Sequence, residues 1–124
     1  MNRKILAITL SLLFAAFLYA QGNKSVTITG NLIDNACAES AKDLDTKAKN
    51  HPTSCALMDS CETSGYAVYA DQKLYKLDEK GNSSAAELLK STKTLTGVKV
   101  SVEGTVEGDT IHVTKLAEVT AATN

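Results

Sequence analysis

Residues 98–113 read VKVSVEGTVEGDTIHV, and within them Val98, Val100 and Val102 alternate with Lys99, Ser101 and Glu103. A period of two sends successive side chains to opposite faces of an extended backbone, so this stretch predicts a half-buried strand. Glu107-Gly108-Asp109 supplies turn residues, and Thr110-Ile111-His112-Val113 resumes the alternation as a returning strand. His112, between Ile111 and Val113, then points to solvent.

Working outward, residues 73–77 (KLYKL) and 65–69 (GYAVY) form a second pair of strands separated by Asp71-Gln72, a predicted hairpin. Ser25–Ile33 (SVTITGNLI) places Val26, Ile28 and Leu32 on one face of a further strand. Residues 78–82 (DEKGN) read as a turn. Ser84-Ala85-Ala86-Glu87 has the form of a capping box, so a helix of about ten residues is expected from there to near Thr92. Residues 34–64 break the pattern and read as an insertion between the first two strands. Ala38, Ala41, Leu44 and Ala48 recur at helical spacing, Asn50-His51-Pro52 interrupts them, and Pro52 is suited to open a second helix that Gly65 stops. The last residues, 120–124 (TAATN), offer nothing to pack and are expected to fray.

The predicted order is one strand, a helical insertion, two strands, a helix and two strands. That is the order of a small five-stranded OB-like Greek-key barrel, mainly β, with its helix between strands 3 and 4 and a Cys/His-bearing insertion between strands 1 and 2. Closure would remove the sheet edges. An open five-stranded sheet covered by one helix is the competing architecture.

The N-terminus carries an export signal. Arg3 and Lys4 precede an apolar run from Ile5 to Phe17 broken only by Thr9 and Ser11. Such a run matches the roughly 7–15 residues of a signal-peptide core and falls short of the roughly 20 that span a bilayer. Cleavage after Ala20 would make 1–20 the signal peptide and 21–124 the mature domain, with Gln21 first. No cysteine stands at that junction to carry a lipid, and no second apolar run is long enough to span a membrane. The expected location is periplasmic or secreted.

Removal of residues 1–20 leaves 11 Lys and Arg against 14 Asp and Glu, a mildly acidic chain of the size of one domain. Its aromatic residues do not interleave with basic ones, which argues against nucleic acid as a partner.

All three cysteines, Cys37, Cys55 and Cys61, lie in the insertion beside His51, one of two histidines. On a helix opened by Pro52, His51, Cys55 and Met58 would share a side. Imidazole, thiolate and thioether together suit copper or zinc. The candidate ligands are Cys37, His51, Cys55 and Cys61, with Met58 as a possible soft fifth; Cys61, six residues after Cys55, reaches the same ion only if the helix ends before it. The spacing H-x3-C-x5-C lacks the C-x2-C pairs of zinc fingers. The competing expectation follows from export: in an oxidising compartment two of Cys37, Cys55 and Cys61 would pair as a disulfide, leaving one thiol over. Asp34, Asp43, Asp45 and Asp59 lack the spacing of a calcium loop. Tyr66, Tyr69 and Tyr75 suit either an aromatic face on the hairpin or packing beneath the insertion. Cys55 with His51 supplies a nucleophile and a base but no third group to orient the base, so no enzymatic activity is expected.

The segments Leu32-Ile33-Asp34 with Cys37, His51 with Cys55-Ala56-Leu57-Met58 and Cys61, Ser64-Gly65-Tyr66, Lys73–Asp78 and Val102-Glu103-Gly104 together resemble a group of small exported bacterial proteins of uncharacterised function. The resemblance covers most of the mature chain. It implies an OB-like fold and export, and it brings no substrate or cofactor with it. The expected function is thus an exported binding protein whose insertion takes copper or zinc. The alternative is a disulfide-stapled module whose barrel surface binds an envelope protein or a small ligand.

Overall fold

A computed structural model describes residues 24–120. The proposed signal peptide, residues 21–23 and residues 121–124 of the expected frayed tail lie outside the described residues. The protein is mainly β, a five-stranded mixed sheet with a few helices: β1 (Ser25–Asp34), α1 (Asn35–Ser40), α2 (Leu44–Lys49), α3 (Thr53–Ala56), α4 (Asp59–Ser64), β2 (Tyr66–Ala70), β3 (Lys73–Leu77), α5 (Glu79–Ser91), β4 (Lys99–Glu107) and β5 (Thr110–Glu118).

The strands neighbour one another in the order β1-β2-β3-β5-β4, and β4 pairs back onto β1. The first half of β1 runs antiparallel to β4, with Ile28 opposite Val102. Its second half runs antiparallel to β2, with Leu32 opposite Val68. A short parallel contact, Lys76 to Thr110 and Leu77 to Ile111, joins β3 to β5. The period-two faces of the sequence meet inside: Leu32, Val68, Val100, Val102 and Ile111 form the main core, capped by Ala85 and Leu89 of α5. Val26, on the same face as Ile28 and Leu32, lies at the start of β1 and is 38% exposed. The hairpin turns at Asp71 and Gln72, both with positive φ. His112 is exposed, with Nε2 2.8 Å from Glu107.

The helix before β4 starts six residues earlier than its capping box implies. Asp78 is the N-cap, accepting from the Gly81 N–H at 2.9 Å, and Glu79 sits favourably in the first turn. Gly81 and Asn82, which read as turn residues, are in the helix for packing. A Cβ at Gly81 would crowd Val113 and Leu77, and Asn82 Oδ1 accepts the Tyr66 N–H at 2.8 Å.

The insertion holds four short helices rather than two. The stretch expected as one helix between 34 and 50 breaks at residues 41–43, where Asp43 caps α2 through the Thr46 N–H. The stretch expected as one helix from Pro52 to Cys61 breaks at Leu57 and Met58; Pro52 is an N-cap with φ −67° and ψ 136°, and Gly65 ends α4 with φ +81°. Helices of four to six residues cannot stand alone, because nucleation costs more than so few hydrogen bonds return. Ala38 and Ala48 are therefore packed on Ile33, on the face of β1 opposite the main core. A second tether is the pairing of residues 51–53 with residues 95–97. The Thr53 N–H donates to Leu95 O at 2.9 Å and the Gly97 N–H to His51 O at 3.0 Å.

Gly97 has φ +66°, and a Cβ there would collide with the Lys49 carbonyl; Gly108 has φ +63° with open space around it. Gly108→Ala should cost only the left-handed backbone penalty of about 1–2 kcal/mol. Gly97→Ala should cost about 1–3 kcal/mol more, because the insertion must also move. Urea denaturation of the two variants checks the difference, and equal midpoints would show that the 95–97 tether does not constrain the insertion.

Candidate metal centre

Asp34 is the last residue of β1 and the N-cap of α1, and this local role fixes its carboxylate. Oδ2 accepts the Cys37 N–H at 2.9 Å, satisfying a donor at the start of α1. The other oxygen, Oδ1, lies 2.7 Å from His51 Nε2. Both side chains are out of solvent, 0% exposed for Asp34 and 1% for His51. A buried ion pair or charge-assisted hydrogen bond survives only when both partners are satisfied, since desolvation otherwise exceeds the attraction.

Burial acts to raise the Asp34 pKa, but the Cys37 backbone N–H, the His51 hydrogen bond and the attraction of His51 outweigh it, and the carboxyl titrates below its usual range. The same carboxylate acts on Cys37 in the opposite sense. Burial, then the negative charge of Asp34 and the thiol's hydrogen bond to it, then the neighbouring Cys61, push Cys37 up to about 11. Cys37 is consequently a neutral thiol at physiological pH.

One ligand atom each from Asp34, Cys37 and His51 lies within 4.8 Å of the others, close enough for one ion to touch all three. Asp34 and His51 are buried and Cys37 is half-buried. His51 Nδ1 is also buried and has no hydrogen-bond partner among the described residues. Tyr66 underlies the insertion: 1% exposed, it donates from its hydroxyl to Ala56 O at 2.8 Å, and its phenol is pushed up to about 12 by burial and by nearby Glu62, Asp34 and Cys61.

Of the residues expected as ligands, the structure brings Cys37 and His51 together, while Cys61 lies on α4, which packs against α1. The helix does end before Cys61, at Ala56, and α4 carries this thiol back toward α1. Cys55 is not among the grouped donors. The chain breaks at Leu57-Met58, within the helix on which Cys55 and Met58 were expected to share a side, and Cys55 is half-buried and Met58 57% exposed. No disulfide is formed: Cys37, Cys55 and Cys61 are free thiols. Asp34 is the member of the donor group that sequence reasoning passed over as one scattered acid among several. The signal was its spacing, Asp-x-x-Cys at the exit of a strand, which is an N-cap pattern that also delivers the cysteine.

Comparisons with protein-family models, with curated proteins and with solved structures give no match. The chemistry of the site therefore rests on its own geometry.

Because the folded Asp34 carboxyl titrates below its unfolded value of 3.8, its stabilisation is present above that value and is lost as pH falls through the folded pKa. Stability should drop on acidification below about pH 4. Asp34→Asn should flatten that limb. Asp34→Ala, which leaves His51 buried without its partner, should cost about 3–5 kcal/mol at pH 7. Thermal unfolding across pH checks both, and an unchanged acid limb in Asp34→Asn would contradict the role given to this carboxylate.

Proposed function

We propose that this chain is a small exported metal-binding protein in which Asp34, Cys37 and His51 hold a zinc or copper ion. The observation that carries the reading is the convergence of a carboxylate, a thiol and an imidazole at one buried point, with ligand atoms within 4.8 Å of one another. A mixed O, N and S set is the donor chemistry of zinc. Copper(I) would favour more sulfur, and magnesium or calcium would favour oxygen alone. Three donors leave one position of a tetrahedral site for a further ligand. The unpartnered His51 Nδ1 also supports the reading. A ligating histidine uses one ring nitrogen for the ion and the other for an orienting partner, and Asp34 already occupies Nε2. Asp34 thus serves as ligand or as the group that aims the ring, depending on which nitrogen the ion takes.

The frame around the site supports an OB-like barrel. The strand order returns β4 to β1, β3 and β5 run parallel, and α5 lies between β3 and β4 in sequence. The insertion between β1 and β2 then falls in the first connecting loop, a common place for such folds to bind. Export is supported by the basic and apolar N-terminal sequence. No helix among the described residues is long and apolar enough to cross a membrane. An exported protein with one closed metal centre would sequester the ion, deliver it, or use it to hold the insertion.

Zinc titration of the reduced protein by calorimetry should show one site. Cys37→Ser and His51→Gln should each weaken it at least about tenfold, the scale on which even orienting groups act. Because Cys37 is protonated up to about 11, its ligation must release a proton, and its contribution should raise the affinity about tenfold per pH unit near neutrality. The dependence of the binding enthalpy on buffer ionisation reads that proton. Absence of saturable binding, or unchanged binding in both variants, would refute the site.

A further inference from the structure

Three thiols lie in a 31-residue insertion, yet they are not equivalent in space. Cys37 is on α1 and Cys61 on α4, two helices that pack against each other, and the Cys61 thiol is among the groups that act on Cys37; Cys55 is on α3. The backbone holds the first two in place independently of their chemistry. The Asn35 N–H donates to Gly65 O at 2.9 Å, Asn35 Nδ2 to Ser64 O at 2.9 Å, and the Ala36 N–H to Ser64 Oγ at 3.1 Å. Ser64 Oγ in turn donates to Cys61 O. The segments carrying Cys37 and Cys61 are thereby clamped together, and Cys37 is the half-buried member of the donor group.

We propose that Cys37 and Cys61 form a reversible disulfide that switches the metal centre off, so that the insertion is a thiol-gated metal site. This coupling rests on the metal reading above, whereas the choice of Cys37 and Cys61 as the pair does not. The oxidant is a small-molecule disulfide of the glutathione type. One protein thiolate attacks its S–S bond, forming a mixed disulfide and releasing one thiol. The second protein thiolate then attacks the protein sulfur of that mixed disulfide and displaces the remaining thiol. The protein pair gives up two electrons and two protons, and the reagent gains them as two thiols. A sulfur committed to the S–S bond has no thiolate to offer, so oxidation removes Cys37 from the ion together with any contribution from Cys61. The coupling is reciprocal: an ion that requires the Cys37 thiolate must protect the pair from oxidation.

The purified protein, reduced and metal-free, is exposed to oxidised glutathione, alkylated, and cleaved before aspartate, which separates Cys55 from Cys61 at Asp59 and Cys37 from both. Mass spectrometry should find Cys37 joined to Cys61 and Cys55 alkylated. A linkage that contains Cys55, or three alkylated cysteines, overturns the pairing. In the second arm the reduced protein should bind zinc and the oxidised protein at least about a hundredfold more weakly. Zinc at about a hundred times its dissociation constant should slow the oxidation about a hundredfold, since only the metal-free fraction reacts. Equal zinc affinity in the two redox states overturns the switch while leaving the metal site standing. A reduced protein that does not bind zinc overturns the metal reading and the switch together, and the disulfide map still decides the pairing. Cys55→Ser should keep the redox sensitivity of zinc binding. Cys61→Ser should retain measurable binding and lose that sensitivity, and a Cys61→Ser protein whose zinc is still displaced on oxidation contradicts the proposal.

Discussion

The contact of Asp34 with His51 is the constraint on which the insertion depends. Residues 35–65 contain four helices of four to six residues, none of which is long enough to be stable in isolation. They are ordered because one carboxylate at the end of β1 performs two tasks in opposite directions. Oδ2 starts α1 by capping it, and Oδ1 anchors the residue that precedes Pro52 and α3. The strand thus sets the position of the carboxylate, and the carboxylate sets the positions of both halves of the insertion. Satisfying a fully buried acid in this way leaves Cys37 beside it as a direct consequence of capping, because the capped N–H belongs to Cys37 itself.

That geometry gives the site its electrostatic character. The negative Asp34 stabilises positive charge at its centre, and burial together with the opposition of Asp34 to a second negative charge keeps the neighbouring thiol protonated. A cation reverses this logic: once it is present, carboxylate and thiolate no longer repel each other without compensation. A neutral thiol that a metal must deprotonate is also one that reacts slowly with oxidants in the absence of an activating group. The same arrangement therefore disfavours adventitious oxidation of the Cys37 thiol.

Much of the sheet was legible because its signal is local. Val98, Val100 and Val102 alternate with polar residues and are buried as that alternation requires, and Asp71-Gln72 is the hairpin turn that its flanking strands imply. The parallel contact of Leu77 with Ile111 left no trace in either strand, since it depends on how the chain returns over α5. The site was legible in part. Clustering of Cys37, Cys55, Cys61 and His51 pointed to the insertion, where the donors of Asp34, Cys37 and His51 converge, but an ideal helix from Pro52 placed Cys55 and Met58 with His51. The chain instead breaks at Leu57-Met58, where α3 ends and α4 begins, a break that no local propensity announces. Asp34 read as one scattered acid because a strand-terminal acid is usually solvated; here it is buried, bonded to His51 and paired across the strands with Tyr66.

Cobalt(II) substitution tests the central claim most directly, because its spectrum reports both the ligand type and the geometry of the ion. Reduced protein loaded with cobalt(II) should show a near-ultraviolet thiolate-to-metal charge-transfer band and strong visible bands of a four-coordinate ion. Cys37→Ser should lose or markedly weaken the charge-transfer band. A weak, six-coordinate spectrum without charge transfer, identical in the wild-type and Cys37→Ser proteins, would contradict a metal centre at Asp34, Cys37 and His51.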